Sequence, residues 1–216
     1  MSKTEWKEYK LGEIYEVHNG LSKGREFFGS GYPFISFSTV FNKWFIPEII
    51  TDFAQTTESE QESYSIKAGD ILVTRTSETA DELGMSCVAL RDILNATYNG
   101  FCKRMRQYNK DVDVDSKYVG YYMRNPEFRK KFQAFAGSMS TRASLTNDAL
   151  LGLTIKLPPL AEQQRIAQIL SSLDDKIELN NAINRNLRAN RVQNQTKFEL
   201  CRGAAVNARE RGNLAA

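Results

Sequence analysis

The chain has 216 residues, of which 41% are hydrophobic and 11% aromatic, and its formal net charge is +3. This composition excludes a disordered chain and predicts one well-formed core with an appendage. The charged N-terminus has no apolar signal core, and no apolar run approaches the roughly 18 residues of a membrane span. We therefore expect a cytoplasmic protein that does not bind membranes.

The first 45 residues predict short strands joined by polar loops. A strand over residues 12–17 leads to a turn at residues 18–20 and then to a glycine-containing loop. Lys23 and Arg25 in this loop are candidate phosphate contacts, although the loop is equally typical of an exposed connection. A second strand is predicted over residues 31–40. It would place the hydroxyl groups of Ser36 and Thr39 on one side of the pleat, and Lys43 follows between aromatic residues.

A hairpin is predicted over residues 66–75, because a glycine turn precedes a run rich in β-branched residues. Arg75 stands at the end of this predicted strand, and Thr76 and Ser77 follow it in a polar loop. A guanidinium group with nearby hydroxyl groups at the end of a stiff strand suits bidentate recognition of guanine.

Residues 85–90 predict a buried strand, and a turn containing Asn99 separates it from the basic segment 101–108, which includes Lys103. Two helices are predicted over residues 116–123 and 126–135, followed by a small-residue loop over 137–145 and then by a helical turn and strand ending at residue 157. The loop contributes Ser140, Thr141 and Arg142 as candidate DNA contacts.

Charge is unevenly distributed, although residues 1–159 contain 20 basic and 20 acidic residues. The segment 48–62 has five acids and no base, whereas nine cations outweigh four acids in 101–131. DNA binding by a neutral domain needs such segregation, so we place the acidic segment away from DNA. Solvated faces with no partner remain an equally good interpretation of each cluster.

After Pro158 and Pro159 the sequence predicts one long helix over residues 158–200, because no proline or glycine interrupts it. Its apolar residues recur every 3.5 positions, which is typical of a coiled-coil seam. The helix-interface residues are Ile166, Leu170, Leu173, Ile177, Asn180 and Leu187, with Ile183 flanking the seam. Residues 201–216 have little apolar content, so we expect a disordered tail.

Several motifs occur in a distinctive order: Trp6 with Leu11 and Gly12, GYPFIS at 31–36, IKAGDILVTR at 66–75, GSMSTR at 137–142, and LPPL followed by EQQRIAQIL and LDDKIELNNAINRNL after residue 156. Together they resemble the DNA-specificity subunits of type I restriction-modification enzymes. The resemblance implies an α+β fold, with one mixed target-recognition domain over residues 1–157 and a coiled-coil-type coupling helix behind it.

The resemblance also implies a non-catalytic subunit that directs a methyltransferase, and a restriction complex, to a bipartite DNA site. Its partners would be double-stranded DNA, a modification subunit that binds S-adenosylmethionine, and a restriction subunit; the chain itself would need no cofactor and no metal. Arg75, Arg142 and the nearby hydroxyl groups would select bases, while Lys23, Arg25 and Lys103 would contact phosphates.

Such subunits usually carry two recognition domains and two helices, whereas this chain has one of each. We therefore expect a homodimer through the C-terminal helix, with the two helices antiparallel. A two-fold symmetric protein would select an inverted repeat, with half-sites about 10 base pairs apart.

An enzyme is not predicted, because the motifs that DNA chemistry needs are missing from the sequence. There is no glycine-rich methyl-donor turn with an Asn/Asp-Pro-Pro-Tyr/Phe box, no nuclease carboxylate cluster and no Walker lysine loop. Two alternatives remain open: a coiled-coil adaptor whose globular domain binds protein, and a decoy fragment that occupies a methyltransferase without recognising DNA.

Overall fold

A computed structural model describes residues 5–77, 82–136 and 143–213, and for residues 192–213 it describes the backbone alone. The fold is α+β, with a sheet-containing domain and a long C-terminal helix, as the sequence predicts. By its internal contacts the chain divides into two compact units, Met1–Gln168 and Ile169–Ala216. The predicted domain boundary at residue 157 stays a prediction.

The strands in chain order are β1 (Lys7–Lys10), β2 (Tyr15–Asn19), β3 (Phe28–Ile35), β4 (Phe53–Ala54), β5 (Ile71–Thr74), β6 (Thr76–Ser77), β7 (Ser86–Val88), β8 (Thr97–Tyr98), β9 (Cys102–Gln107), β10 (Ala143–Ser144) and β11 (Thr154–Leu157). The helices are α1 (Leu11–Ile14), α2 (Phe37–Asn42), α3 (Glu58–Ser63), α4 (Ser116–Arg124), α5 (Pro126–Ala136), α6 (Asn147–Leu151) and α7 (Leu160–Asn213). A short 3-10 turn spans Arg25–Phe27.

The largest sheet is antiparallel, with strands in the order β2-β9-β5-β7. A second sheet has the order β4-β3-β8, in which β3 and β8 run parallel. Strand β1 pairs with β11, and β6 pairs with β10. These pairings join the beginning of the domain to its end, so residues far apart in sequence meet along the sheet edges.

Strand β5 lies between two hydrophobic cores and is buried along its whole length. Ile71 and Val73 belong to one core, whereas Leu72 belongs to the other. Successive side chains of a strand point to opposite faces, so the uninterrupted run of apolar residues here reflects burial on both sides. Cys87 and Cys102 pack in the second core, where burial raises the pKa of each thiol to about 12.

The predicted strand over residues 31–40 is wrong in its second half, because β3 ends at Ile35 and α2 begins at Phe37. Ser36 is the residue that starts the helix in place of a continued strand. Its hydroxyl oxygen accepts a hydrogen bond from the Thr39 backbone N–H at 3.3 Å, which caps the helix. Serine is among the best N-caps, and this local bond outweighs the alternating pattern.

Three cations of the basic segment 101–108 lie on β9, the inner strand beside β5, and not on an open basic face. Arg104 is 3% exposed, and its guanidinium donates to the Ser65 carbonyl at 2.5 Å. Arg106 makes a bidentate pair with the carboxylate of Asp70, at 2.7 and 2.6 Å. These three side chains therefore stabilise the interior and contribute little to a basic surface.

Helix α4 is joined to α2 through Arg124. Its guanidinium donates to the carbonyls of Val40, Phe41 and Lys43 at 2.9, 3.1 and 2.7 Å, and to that of Ser86 at 2.6 Å. The first three carbonyls lie at the C-terminal end of α2, where helix carbonyls lack partners within the helix. Burial lowers the pKa of Arg124 to about 10.

The beginning of α7 is part of the domain. The side-chain amide of Gln163 is 1% exposed; it donates to the carbonyls of Asp113 and Pro158 and accepts from the Asp115 N–H. Ala167 is buried in the first core. Helix α7 extends to Asn213, beyond the predicted helix end at residue 200. The disorder predicted for residues 201–216 stays a prediction. Within the described ranges, no helix combines the length and hydrophobicity needed to cross a bilayer.

We predict that Arg124→Met lowers the free energy of unfolding by about 2–4 kcal/mol, because four carbonyls, most of them partly buried, lose a charged donor. Urea unfolding followed by circular dichroism measures the change. Lys130→Met is the matched control, since Lys130 on the neighbouring helix is exposed and its loss should cost less than about 0.5 kcal/mol. Equal effects of the two substitutions would contradict the structural role of Arg124.

Candidate nucleic-acid interface

The turn between β8 and β9 forms the centre of the candidate interface. The Asn99 N–H donates to the Ile35 carbonyl at 3.0 Å, and the Asn99 side-chain oxygen accepts from the Phe101 N–H at 2.8 Å. The Phe101 carbonyl accepts from the Arg75 N–H at 2.9 Å. This turn therefore joins the end of β3 to the end of β5, and with them two groups of residues that the sequence predicts to contact DNA.

The first group lies around α2. Ser36, Thr39 and Lys43 line an open cleft with Thr51 and Asp52. A second cleft shares Ser36, Thr51 and Asp52 with the first and is lined on its far side by Asn99. The structure thus brings four predicted site residues together, although on a capped helix and a turn in place of a pleated strand. Hydroxyl and amide groups in a row suit hydrogen bonding to base edges or phosphates.

The second group lies at the end of β5. Arg75 follows the strand directly, as predicted, and Thr76 begins β6. Leu145 N–H donates to the Arg75 carbonyl at 2.7 Å, so the backbone around Arg75 is held on two sides. Arg75 Nε is buried and has no hydrogen-bond partner among the described residues. A buried N–H without a partner costs free energy, so this Nε favours an acceptor from outside the described residues, such as a ligand.

Lys103 lies beneath this group and not on the surface, so its prediction as a phosphate contact is corrected. The side chain is 5% exposed, and its ammonium donates to the side-chain oxygens of Asn19 at 3.2 Å and of Asn147. Burial lowers the pKa of Lys103, and the neighbouring charge of Arg75 lowers it further. Two cations held together with amide acceptors make this end of the sheet electropositive.

Lys23 and Arg25 occupy different environments. The Lys23 ammonium is 2.7 Å from the Glu60 carboxylate, donates to the Gln55 carbonyl at 2.7 Å and lies over the Phe27 ring. Its hydrogen bond is the main cause of the lowered pKa of Glu60. The acidic segment 48–62 therefore contacts a residue predicted to bind phosphate, and the position of this segment away from DNA stays a prediction. Arg25 is exposed.

Ser140, Thr141 and Arg142 lie outside the described residues, and of Ser77 only the backbone is described. The backbone of Ala143, which follows Arg142, pairs with Ser77 in the β6–β10 ladder. The two residues after Arg75 therefore pair with residues 143–144.

The helix-interface residues of α7 are mostly exposed. Leu173, Ile177, Ile183 and Leu187 are 49%, 56%, 46% and 60% exposed. Asn180 is also exposed and Leu170 is half-buried, whereas Ile166 packs against the domain core. The apolar stripe available to a partner helix thus begins after Ile166.

Sequence reasoning missed Asn19, Asn147 and Phe101. The two asparagines become recognisable only once Lys103 is known to be buried between them. Phe101 was assigned to a basic segment, and the signal that could have revealed it is its position directly after Asn99 and Gly100 in a turn. Among the described residues, no three His, Cys, Asp or Glu side chains are arranged to hold a metal.

Comparisons with known proteins identify the class of this domain. The sequence model of the family described as "Type I restriction modification DNA specificity domain" matches residues 3–189. The chain therefore belongs to this family, as the motifs indicate. It is 31% identical over 188 residues to the type I restriction enzyme HindI specificity subunit of Haemophilus influenzae, which covers 85% of this chain and 38% of that subunit.

A second relative is the type I restriction enzyme EcoKI specificity subunit of Escherichia coli, at 25% identity over 80% of this chain and 38% of the relative. The solved structure of the HsdS subunit from Thermoanaerobacter tengcongensis has a TM-score of 0.54 at 18% identity, covering 82% of this chain and 39% of that one. The S subunit from M. genitalium gives a TM-score of 0.52 at 14% identity, covering 82% and 41%. The chain thus spans about two fifths of the length of these relatives.

We predict that Gly20→Ala lowers the free energy of unfolding by about 1–3 kcal/mol and disturbs the turn at Asn99. A Cβ atom at Gly20 would lie 2.1 Å from the Asn99 carbonyl oxygen, so the backbone of the turn must move. Thermal unfolding measures the change. At Gly152, in an ordinary helical conformation, the nearest atom would lie 3.1 Å away, so Gly152→Ala is the control. If Gly20→Ala proved as mild as Gly152→Ala, the turn would not be packed as described.

Proposed function

We propose that this chain is the DNA-recognition subunit of a type I restriction-modification system and directs a methyltransferase to a bipartite DNA site. Membership of the specificity-domain family over residues 3–189 supports this proposal. So do the names of the relatives, which are specificity subunits of type I restriction enzymes. In this role the chain would act in the cytoplasm, where the DNA is.

The observation that carries the proposal is the row of polar groups along one edge of the domain. Arg75 and Thr76 stand at the end of β5, Asn99 lies on the adjoining turn, and Ser36, Thr39 and Lys43 continue the row around α2. We call this row, together with Phe101, the recognition edge. Its residues lie at strand ends and on a hydrogen-bonded turn, so their backbone positions are fixed before a ligand binds.

Each residue of the recognition edge has a distinct role in the proposal. Arg75 recognises a guanine, because its guanidinium matches the two acceptors that guanine presents in the major groove. The hydroxyl groups and Asn99 contact further base edges, and Arg142 adds a second guanidinium from the neighbouring segment. Lys43 and Arg25 contact phosphates and set the position of the domain on DNA. Lys23 and Lys103 support the edge from within, since both ammonium groups already have protein partners.

Catalysis is assigned to partners. In the proposed complex a modification subunit binds S-adenosylmethionine and methylates adenine at the site that this chain selects, and a restriction subunit joins for cleavage. This chain positions the modification subunit on the DNA. The adenine to be methylated must then leave the duplex to enter the active site of the modification subunit.

Helix α7 supplies the surface for assembly. Its exposed apolar residues recur at the spacing of a coiled-coil seam, and a lone helix cannot bury such a stripe. We propose that a second copy of the chain pairs with it antiparallel, overlapping near Ile177–Leu187, and that the modification subunit packs on the resulting helix pair. Overlap there places Asn180 and Asn184 near each other and avoids burying their amides against aliphatic side chains.

A second candidate function is a coiled-coil adaptor that binds a methyltransferase without recognising DNA. The exposed apolar stripe of α7 favours it equally, since that stripe needs a partner in either case. The recognition edge distinguishes the DNA-recognition subunit from the adaptor, because binding a methyltransferase alone does not require groups that recognise bases.

We predict that the chain binds duplex DNA with an affinity that falls steeply between 50 and 200 mM salt, because phosphate contacts release counterions. A gel shift with a pool of random-sequence duplexes, with and without a modification subunit, measures this dependence. Protein association between the chain and the modification subunit should change far less over the same range. A chain that binds the modification subunit but no duplex under any salt condition would be the adaptor.

We further predict that Arg75→Ala loses discrimination at one base pair by about 1–3 kcal/mol, since a bidentate contact to guanine disappears. Arg25→Ala should weaken binding to all sequences alike, because a phosphate contact carries no sequence information. Selection of bound sequences from the random pool separates the two effects. An unchanged sequence preference in Arg75→Ala would remove Arg75 from the recognition edge.

For assembly, we predict that Leu173→Asn combined with Ile177→Asn abolishes self-association, because two amides replace apolar residues in and beside the proposed overlap. Light scattering measures the mass of the chain. Lys176→Gln is the control, since it lies between them on the exposed surface of the helix and should leave association unchanged. A dimer should also direct the modification subunit to methylate an inverted repeat with half-sites about 10 base pairs apart. A monomeric wild-type chain, alone and with the modification subunit, would contradict the homodimer.

A further inference from the structure

Phe101 is the most exposed aromatic residue of the described part of the chain, at 57%. It lies in the middle of the recognition edge, two residues after Asn99, and its carbonyl accepts a hydrogen bond from the Arg75 backbone N–H. Two of the other exposed aromatic residues have partners within the protein: Trp44 packs against Tyr121 and Arg124, and the Tyr108 hydroxyl donates to the Gly12 carbonyl. Among the described residues, the Phe101 ring makes neither a ring–ring nor a cation–π contact.

A loose loop does not account for this exposure, because the backbone on both sides of Phe101 is fixed. Its N–H donates to the Asn99 side chain at 2.8 Å, and the next residue, Cys102, is fully buried and donates to the Asn99 carbonyl at 2.9 Å. On the other side, a Cβ atom at Gly100 would meet the Ser22 hydroxyl oxygen at 2.3 Å, so the turn is packed closely against residues 21–22. The fold therefore holds a large apolar side chain towards solvent at a defined place.

Single exposed apolar residues are common on protein surfaces and need no explanation by themselves. The neighbours of Phe101 make the difference. Arg75 is hydrogen-bonded to the Phe101 backbone, and Asn99, two residues before Phe101, lines a cleft with Ser36. Base pairs in the major groove present hydrogen-bonding atoms interrupted by one apolar group, the 5-methyl group of thymine. A row of polar groups with one aromatic ring between them is complementary to that surface.

We propose that Phe101 packs against the 5-methyl group of a thymine in the recognised site and so selects an A·T base pair beside the base pair that Arg75 selects. This inference rests on the proposed DNA-recognition function. It adds a specificity-determining residue whose contact is apolar, in a domain whose other candidate contacts are polar.

The test uses the full chain and the duplex that it selects from a random-sequence pool. Each thymine of that duplex is replaced in turn by deoxyuridine, which removes the methyl group and leaves every hydrogen-bonding atom in place. For the wild-type chain, one replacement should lower the affinity about fourfold, the factor expected when burial of one methyl group is lost. For Phe101→Ala the unmodified duplex should bind about fourfold more weakly for each half-site that is contacted, and the same replacement should have no further effect.

Three comparison variants make the result specific. Phe101→Leu should keep part of the deoxyuridine effect, because leucine remains apolar. Arg75→Ala should keep all of it while losing its guanine preference. Leu94→Ala removes a side chain that is 84% exposed but lies in another cleft beside Tyr32 and Glu58, and it should bind every duplex as the wild type does. Thermal unfolding of each variant shows that it is folded.

The outcomes separate this inference from the proposed function. If the wild-type chain selects a sequence and no deoxyuridine replacement weakens binding, or if the effect persists in Phe101→Ala, the thymine contact is wrong and DNA recognition stands. A chain that selects no sequence at all overturns both.

Discussion

The turn at Asn99–Cys102 is the constraint on which the recognition edge depends. Through it the ends of β3 and β5 are joined by hydrogen bonds from Asn99 to Ile35 and from Arg75 to Phe101. Strand β5 in turn is anchored between two hydrophobic cores by Ile71, Leu72 and Val73. Because the strand cannot shift without exposing both cores, the residues at its end are held in place by the free energy of the whole domain.

Buried cations are the second organising feature. Arg104 and Arg106 connect β9 to residues 65–70, and Arg124 connects α4 to the end of α2, by donating to backbone carbonyls or to Asp70. Lys103 differs, because its acceptors are two neutral amides and its neighbour is another cation. Most of the buried positive charge thus stabilises the fold. In the part of the chain that the structure describes, the charge of Lys103 has no carboxylate partner, and it lies beneath Arg75, where we propose that DNA binds.

Elements with strong local signals could be predicted from the sequence. The helices α4 and α5, the buried strand β7 and the long helix after two prolines are predictable from apolar patterns and from the prolines that precede helices. Strand β3 was extended too far, because the alternating pattern of residues 36–40 competes with a serine N-cap that no periodicity measures.

The burial of Lys103 and Arg104 could not be predicted, since it depends on Asn147 and Ser65, about 40 residues away in opposite directions. Phe101 was missed for the same reason: its exposure follows from a turn whose partners, Ile35 and Arg75, come from other strands.

Hydrogen exchange of the chain with and without its selected duplex tests the central claim most directly. The account predicts added protection of backbone amides at residues 36–43, 75–76 and 98–102, with no change around the acid-lined cleft at Glu58, Asp92 and Leu94. Protection confined to that cleft, or none within the domain while DNA is bound, would contradict the assignment of the recognition edge.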